Sequence, residues 1–548
     1  MLIRVFPLFV SLFLSVSGLF AQRLNRADRT LMDNLKTHVA YLSDDKLQGR
    51  RTGTTGEKLA MNYISKQFQK AGLRPMGSDG TWFQEFEVYD GKQVNPASHL
   101  IINGHDLKLN EDYFPLAYSP NAHAEAAVAM VLQEEDVPWF LDIKSLIDES
   151  SGNPHFDLYE AIKERAAQAA EKNATALILY NSHTSGDELK FNERDRSEPS
   201  RIPVFYMRKA AYKKFLSDES AMLDIKLKSD IGPRYRKGYN VIGYIDNGAA
   251  ETVVLGAHYD HLGMGEDGNS RDTAKLIHNG ADDNASGTAA LIELARTLKQ
   301  QKKPGLNYLF IAFSGEELGL FGSKYFVDNP TIDLGKINYM INMDMIGRLN
   351  ENNSLTIGGF GTTPVWGSLL PSLKEARNFT IKFDSSGTGP SDHTSFYRKN
   401  IPVLFFFTGL HTDYHKPSDD HDKVNYTGQT RIVNYIRELI EKSAASGKLT
   451  FTPTREQQTT TSARFSVSLG IMPDYTFSGP GVKADGVSPG RAAEKAGINT
   501  GDIILQIGDY PISSMEAYMQ ALSKFKKGDE TKVKYKRGEE IREADIRF

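Results

Sequence analysis

Residues 252–263 read TVVLGAHYDHLG, and the fold class follows from this stretch. Val253–Ala257 is apolar without alternation. A half-solvated strand alternates, whereas a run that is apolar on both faces belongs to a strand covered by helices on each side of a sheet. His258 and Asp260 follow directly. In an open α/β sheet, ligands bind outside the carboxyl ends of the strands, so both residues stand where a functional side chain is expected.

The same pattern recurs outward from there. NVIGYID (240–246), LNYLFIAFS (306–314), INYMINMDMIG (337–347) and IPVLFFF (401–407) are short runs rich in Ile, Val and Phe. Gly, Pro, Asn or Asp bound each of them, and helical spacing, as in Leu291, Leu294, Ala295 and Leu298, fills the intervals. The expected class is α/β, with a mixed, mainly parallel sheet sandwiched by helices.

Four further motifs sit near the ends of these runs or in Gly-bounded loops: Asp283 in GADDNASG, Glu316-Glu317 in FSGEELG, Asp344 in NMDMIG and His415 in DYHKPSDD. Taken singly, each has an ordinary reading. A lone His near a strand is usually a hydrogen-bonded structural group, an Asp before a helix is usually a cap, and a Glu pair usually starts a solvated helix. The order His-x-Asp, Asp, Glu-Glu, Asp, His is much harder to explain that way. Adjacent acids at a strand end repel unless cations offset them. Two divalent ions against Asp283, Glu317, Asp344 and a hydroxide sum to zero, and five ligands serve two ions if Asp283 is shared. The chain has no cysteine, so a metal must be held by nitrogen and oxygen. Such donors suit zinc, and cobalt and manganese fit them too.

The stretches AHYDHLG, GADDNASG, FSGEELGLFGS, NMDMIG, SDHTSF and YHKPSDD together resemble the co-catalytic zinc aminopeptidase family, which also holds glutamate carboxypeptidases. LSDDKLQGRRTGTTGEKLAMNYISKQFQKAGLRP (42–75) resembles that family's opening helices. The resemblance implies two zinc ions, one on His258 and Asp344 and one on Glu317 and His415, with Asp283 rather than Asp282 bridging them. It implies Glu316 as general base, Asp260 as the group orienting His258, and Asp392 and His393 as residues lining the substrate site. The expected activity is removal of N-terminal residues from peptides. A carboxypeptidase or dipeptidase shares the same core, and receptor-like binding proteins share the fold but should lack ligands or the base. A serine hydrolase is disfavoured, because Ser286 and Ser314 lack a nucleophile-elbow pattern.

The remaining chain divides by composition. Residues 1–21 have a basic start at Arg4, an apolar core and a small-residue end at Ala21, the pattern of a cleaved signal peptide. Secretion or a periplasmic location is therefore expected. No later segment has eighteen uninterrupted apolar residues, so no membrane span is expected in the mature chain. Residues 22–94 and 236–450 make the peptidase domain. Between them, 95–235 reads as an inserted α/β domain, with strands at Ala126–Leu132 and Ala176–Tyr180 and a helix at Tyr159–Asn173. EAIKERAAQAAEKNATALILYN within it resembles a protease-associated domain. A polar linker follows at 451–463. The block 464–548 resembles a PDZ domain through GVSPGRAAEKAGINTGDIILQIGDYPI, which implies a C-terminal peptide bound at Leu469, Gly470 and Ile471. Net charge is 65 − 69 = −4, which offers no positive excess for nucleic acid. The basic run Lys532–Arg537 alternates as one face of a strand would.

Overall fold

A computed structural model describes residues 25–548 apart from 153–157, 185–186, 188, 194, 196–198, 219, 268–269, 273, 302–304, 455–466, 474–480, 488–489 and 513–514. The expected signal segment and most of the expected linker lie outside the described residues. The chain forms two compact units, one made of the segment up to Phe86 together with Gly238–Phe548, and one of Glu87–Lys237.

The elements that place the site are α1 (Arg26–Leu42), α2 (Thr55–Ala71), β1 (Arg74–Pro75), β2 (Phe83–Val94), β3 (Ile231–Ile245), β4 (Thr252–His258), α3 (Gly287–Gln301), β5 (Asn307–Phe313), α4 (Phe321–Asp328), β6 (Ile337–Met343), β7 (Ser354–Gly358), α5 (Val365–Ser372), β8 (Thr380–Phe383), α6 (His393–Tyr397), β9 (Val403–Phe407) and α7 (Tyr426–Ser443). Among the described residues one sheet runs in the order β1-β3-β5-β4-β6-β9-β7-β8, with β2 beside β3. Its centre, β5-β4-β6-β9, is parallel, and antiparallel pairs flank it. From β4 the chain passes to β5 on one side, and then across to β6 on the other. The strand order therefore reverses at β4, and the carboxyl end of β4 lies at the crevice that reversal creates.

The absence of alternation in the sequence has its cause here. Val253, Leu255 and Ala257 pack with Leu35, Ile64, Leu291 and Ile436 of α1, α2, α3 and α7. Val254, between them, packs on the opposite face with Ile311, Met340 and Phe396. Each face removes its side chains from water, at roughly 1.5–3 kcal/mol per large aliphatic residue. α1 is capped by the Asn25 side chain on the Asp28 amide, and α2 by Thr54 and ends at Gly72 in the left-handed conformation.

The second unit holds an antiparallel sheet ordered His105–Asp106, His99–Ile102, Met222–Ser229, Ala122–Ala129, and a second, mainly parallel sheet ordered Tyr113–Pro115, Val204–Met207, Ala176–Tyr180, Pro138–Asp142. The helix expected at Tyr159–Asn173 spans Leu158–Glu171. The strand expected at Ala126–Leu132 instead covers Ala122–Ala129, where it pairs with Met222–Ser229. That partner strand begins at Met222, opposite Ala129, so Val131 and Leu132 have no ladder to join and are exposed.

Toward the end of the chain, Phe451 packs beside Tyr397, and Thr454 bonds the Tyr397 hydroxyl, so the first residues of the expected linker belong to the peptidase core. The terminal block forms a sheet ordered Ile471–Pro473, Val482–Val487, Ile503–Ile507, Glu530–Arg537, Glu540–Arg547, with a helix at Met515–Leu522. In the basic run, Val533 and Tyr535 point into this core and the lysines point out. Across the whole chain, no described helix is long and apolar enough to cross a membrane.

Gly256 sits at a tight point of the central sheet. A Cβ there would lie 2.6 Å from the Phe313 ring and 2.7 Å from the Met340 methyl. Gly256→Ala is expected to cost about 1–3 kcal/mol through overpacking, read as a lower urea midpoint at an unchanged slope.

Candidate metal centre

Four parallel strands deliver the chemistry to one edge. His258 ends β4, Glu316 and Glu317 follow β5, Asp344 follows β6, and the loop after β9 carries His415. Asp283 arrives from the tight turn Ala281–Ser286 that opens α3. That turn requires Gly280, whose φ is +55°. A Cβ at Gly280 would meet the Asp283 carbonyl at 2.1 Å and the His261 ring at 2.4 Å.

The Asp283 carboxylate lies between two imidazoles. His258 Nε2 is 3.3 Å from Asp283 Oδ1 and 3.3 Å from Asp344 Oδ1. His415 Nε2 is 3.2 Å from Asp283 Oδ2 and 3.2 Å from Glu317 Oε2. These separations exceed an ordinary N–H···O bond of about 2.9 Å. They match the edge of a tetrahedron, about 3.3 Å when the centre lies about 2.0 Å from each corner, the bond length zinc makes to nitrogen and oxygen. His258, Asp283 and Asp344 form one set able to hold a metal ion, and His261, Asp283 and Glu317 form a second, with His415 standing beside it at Asp283 and Glu317. Asp282 turns away, accepting from Ser286 and the Gly347 amide and facing His411.

The supporting shell accounts for the remaining expected residues. Asp260 is fully buried and accepts from Thr52 and from the Glu316 amide. Its carboxylate is 3.8 Å from His258 Nδ1, which lies nearer, at 3.2 Å, to the Asp260 carbonyl. The Asp283 amide donates to Asp419. Ser391 donates to Asp344 Oδ2. Its neighbours Asp392 and His393 are both buried, and the His393 ring lies flat on Phe405 with centroids 4.5 Å apart. Burial pushes the His393 pKa down to about 3, so that ring is neutral.

Burial and crowded acids dominate the electrostatics. Burial pushes the Glu316 carboxyl well above the usual carboxylate range, against the pull of His258. Burial also opposes ionisation of Glu317, but the charge of His415 and the hydrogen bonds of His261 and His415 together outweigh it and hold Glu317 down to about 2. The two adjacent acids are thus driven apart, one toward holding a proton and one toward staying charged.

Sequence motifs alone did not single out several residues that the structure brings in. His261, in the same HYDH stretch, places Nδ1 2.7 Å from Glu317 Oε1. Arg50 is fully buried and spends its guanidinium on backbone carbonyls of Leu42, Tyr259, Asn279 and Gly280, which ties the His258 and Asp283 loops together. Glu57 accepts from Ser314 and from the Gly53 and Tyr239 amides. The usable signal was composition: the polar loop LQGRRTGTTGE lies between two helices and holds two arginines and a Glu that a solvated loop does not need.

Residues 240–440 match the model of peptidase family M28, and residues 458–548 match that of the PDZ domain. The chain carries an M28 peptidase domain and a PDZ domain. Among curated relatives, leupeptin-inactivating enzyme 1 of Streptomyces exfoliatus is 30% identical over 34% of this chain and 39% of its own length. Aminopeptidase YwaD of Bacillus subtilis is 28% identical over 48% of this chain and 55% of its own length. Leucine aminopeptidase 2 of Trichophyton equinum is 25% identical over 66% and 69%. The chain thus spans about half or less of the length of the first two.

Burial raises the Glu57 pKa to about 7 from an ordinary 4.5. The folded state then holds this proton more tightly than the unfolded chain. The resulting stability is full below about pH 4.5 and is lost as pH rises through about 7, by on the order of 3 kcal/mol. Glu57→Gln is expected to flatten the fall in urea midpoint between pH 5 and 8; an unchanged slope would assign it to another group.

Proposed function

We propose that this chain is a secreted dinuclear zinc aminopeptidase, with Asp283 shared by two ions, His258 and Asp344 completing one ligand set and Glu317 and His415 the other. The supporting observation is the Asp283 carboxylate, whose two oxygens face two different imidazoles at tetrahedral-edge distances. The donors are all nitrogen and oxygen, as zinc accepts, and cobalt and manganese fit the same set. Bound, the ions would lower the pKa of a water and polarise the scissile carbonyl.

The protein's own groups do the rest. Glu316 follows β5 at the site, and its raised pKa suits it to take a proton from the attacking water and give it to the leaving amine. Glu317, beside it, stays ionised as a ligand. Asp260 orients His258, leaving Nε2 free to face the ion. Asp392 lies buried behind the site, where burial raises its pKa to about 7, and His393 packs next to it. In this reading both shape the substrate wall through the loop that bears them.

Domain organisation follows the sequence: signal peptide 1–21, a peptidase domain in two parts (22–94 and 236–450) around a protease-associated-like insert at 95–235, a linker at 451–463 whose first residues pack on the peptidase core, and a PDZ domain at 464–548. The signal supports a secreted or periplasmic location. Peptides are the substrates. In the PDZ domain Ile471–Pro473 is the edge strand of its sheet among the described residues, which supports capture of a peptide C-terminus at Leu469, Gly470 and Ile471 by strand addition. A carboxypeptidase or dipeptidase remains the alternative within enzymes. The complete ligand set and Glu316 weigh against a non-enzymatic receptor.

Glu316→Gln is expected to keep both zinc ions by elemental analysis and to lose turnover of N-terminal amino-acid p-nitroanilides by 10²-fold or more. Full activity in that variant would remove Glu316 as the base, and cleavage of N-blocked peptides alone would overturn the aminopeptidase reading.

A further inference from the structure

Three imidazoles, not two, press on the central carboxylates. We propose that His261 is a positioning residue for Glu317, and through it for one of the two ions; this rests on the dinuclear reading above. Distances separate its role from that of the other two histidines. His258 and His415 each stand 3.2–3.3 Å from two carboxylate oxygens. His261 Nδ1 is 2.7 Å from Glu317 Oε1 and 4.0 Å from Asp283 Oδ2. Two atoms bound to one tetrahedral ion sit about 3.3 Å apart. A separation of 2.7 Å is too short for that and matches a charge-assisted N–H···O bond to a carboxylate.

The assignment fixes the ring's proton. Nδ1 carries it and donates to Glu317 Oε1, and Oε2 is left facing His415 Nε2 at 3.2 Å. His261 Nε2 has no hydrogen-bond partner among the described residues, so the Nδ1 bond is the ring's one polar commitment. The ring has nowhere else to go. Its side chain is fully buried, it meets His415 edge-on with centroids 6.0 Å apart, and a Cβ at Gly280 would strike it.

The consequence is a Glu317 carboxylate with one oxygen spoken for. It can offer a single oxygen to an ion, in a fixed direction. Removing the donor takes away the short bond that fixes Oε1, which weakens the ion shared with His415 and leaves the ion on His258 and Asp344 undisturbed. Loss of an outer hydrogen bond of this kind typically costs about 10–100-fold in metal affinity.

The test is stepwise zinc affinity, by competition with a chromophoric chelator, for the full chain and for His261→Leu and His261→Asn. Asn can place an amide N–H near the position of Nδ1, so it serves as the conservative variant. Expected results are two zinc ions in the parent chain, one of them weakened about 10–100-fold in His261→Leu with the other within about twofold, and near-parental binding in His261→Asn. Two tight ions in His261→Leu would overturn the proposal and leave the dinuclear reading intact. Complete loss of one ion in both variants would make His261 a ligand and overturn it too. Equal weakening of both ions would mark a general packing role and also count against it. Fewer than two ions in the parent chain would instead overturn the dinuclear reading on which it rests.

Discussion

One carboxylate serves two imidazoles, and the surrounding structure is arranged to make that tolerable. Asp283 is nearly inaccessible to solvent, with His258 at one oxygen and His415 at the other. Burial alone would drive such a carboxyl toward its neutral form. The histidines reverse this and keep its pKa well below the ordinary value. Its direction is held from behind, by Asp419 accepting the Asp283 amide and by the turn that only Gly280 permits.

The parallel sheet is what makes this arrangement affordable in structural terms. Strand β4 ends on His258, β5 and β6 lead within a few residues into Glu317 and Asp344 at the same edge, and β9 leads into the loop with a fourth. Rigid strands fix these positions better than loops would, since their side chains are locked by packing on both faces. His415, on the loop after β9, sits at φ +57°, an uncommon conformation for a bulky side chain. It is steadied by the Arg271 amide on its carbonyl and by the Tyr414 ring beside it, 3.9 Å between centroids. The Arg50 guanidinium adds a clamp on backbone carbonyls of the two loops that carry His258 and Asp283, supplied from the far end of the sequence.

What the sequence showed, and what it hid, divides along this same line. Residues placed by strand ends were legible, because an apolar run followed at once by His-x-Asp or Glu-Glu states both the element and its edge. Asp282 and Asp283, adjacent in sequence, face opposite ways, which the doublet alone does not state. His261 was invisible because its partner, Glu317, is 56 residues away and the bond depends on a ring direction no spacing encodes. Arg50 and Glu57 were hidden by the same distance, since their partners lie some two hundred residues on. Val131 and Leu132 misread as strand because apolar alternation reports a face and says nothing about whether a neighbouring strand is there to pair. The terminal block was plainer: alternation in KVKYKR coincided with a real ladder.

Two metal ions sharing Asp283 would scatter anomalously as a pair. Diffraction from crystals of the zinc-loaded protein, collected on both sides of the zinc absorption edge, tests that sharing most directly. Two anomalous peaks about 3.5 Å apart are expected, flanking the Asp283 carboxylate, one beside His258 and Asp344 and the other beside Glu317 and His415. A single peak, or peaks that do not touch Asp283, would contradict it.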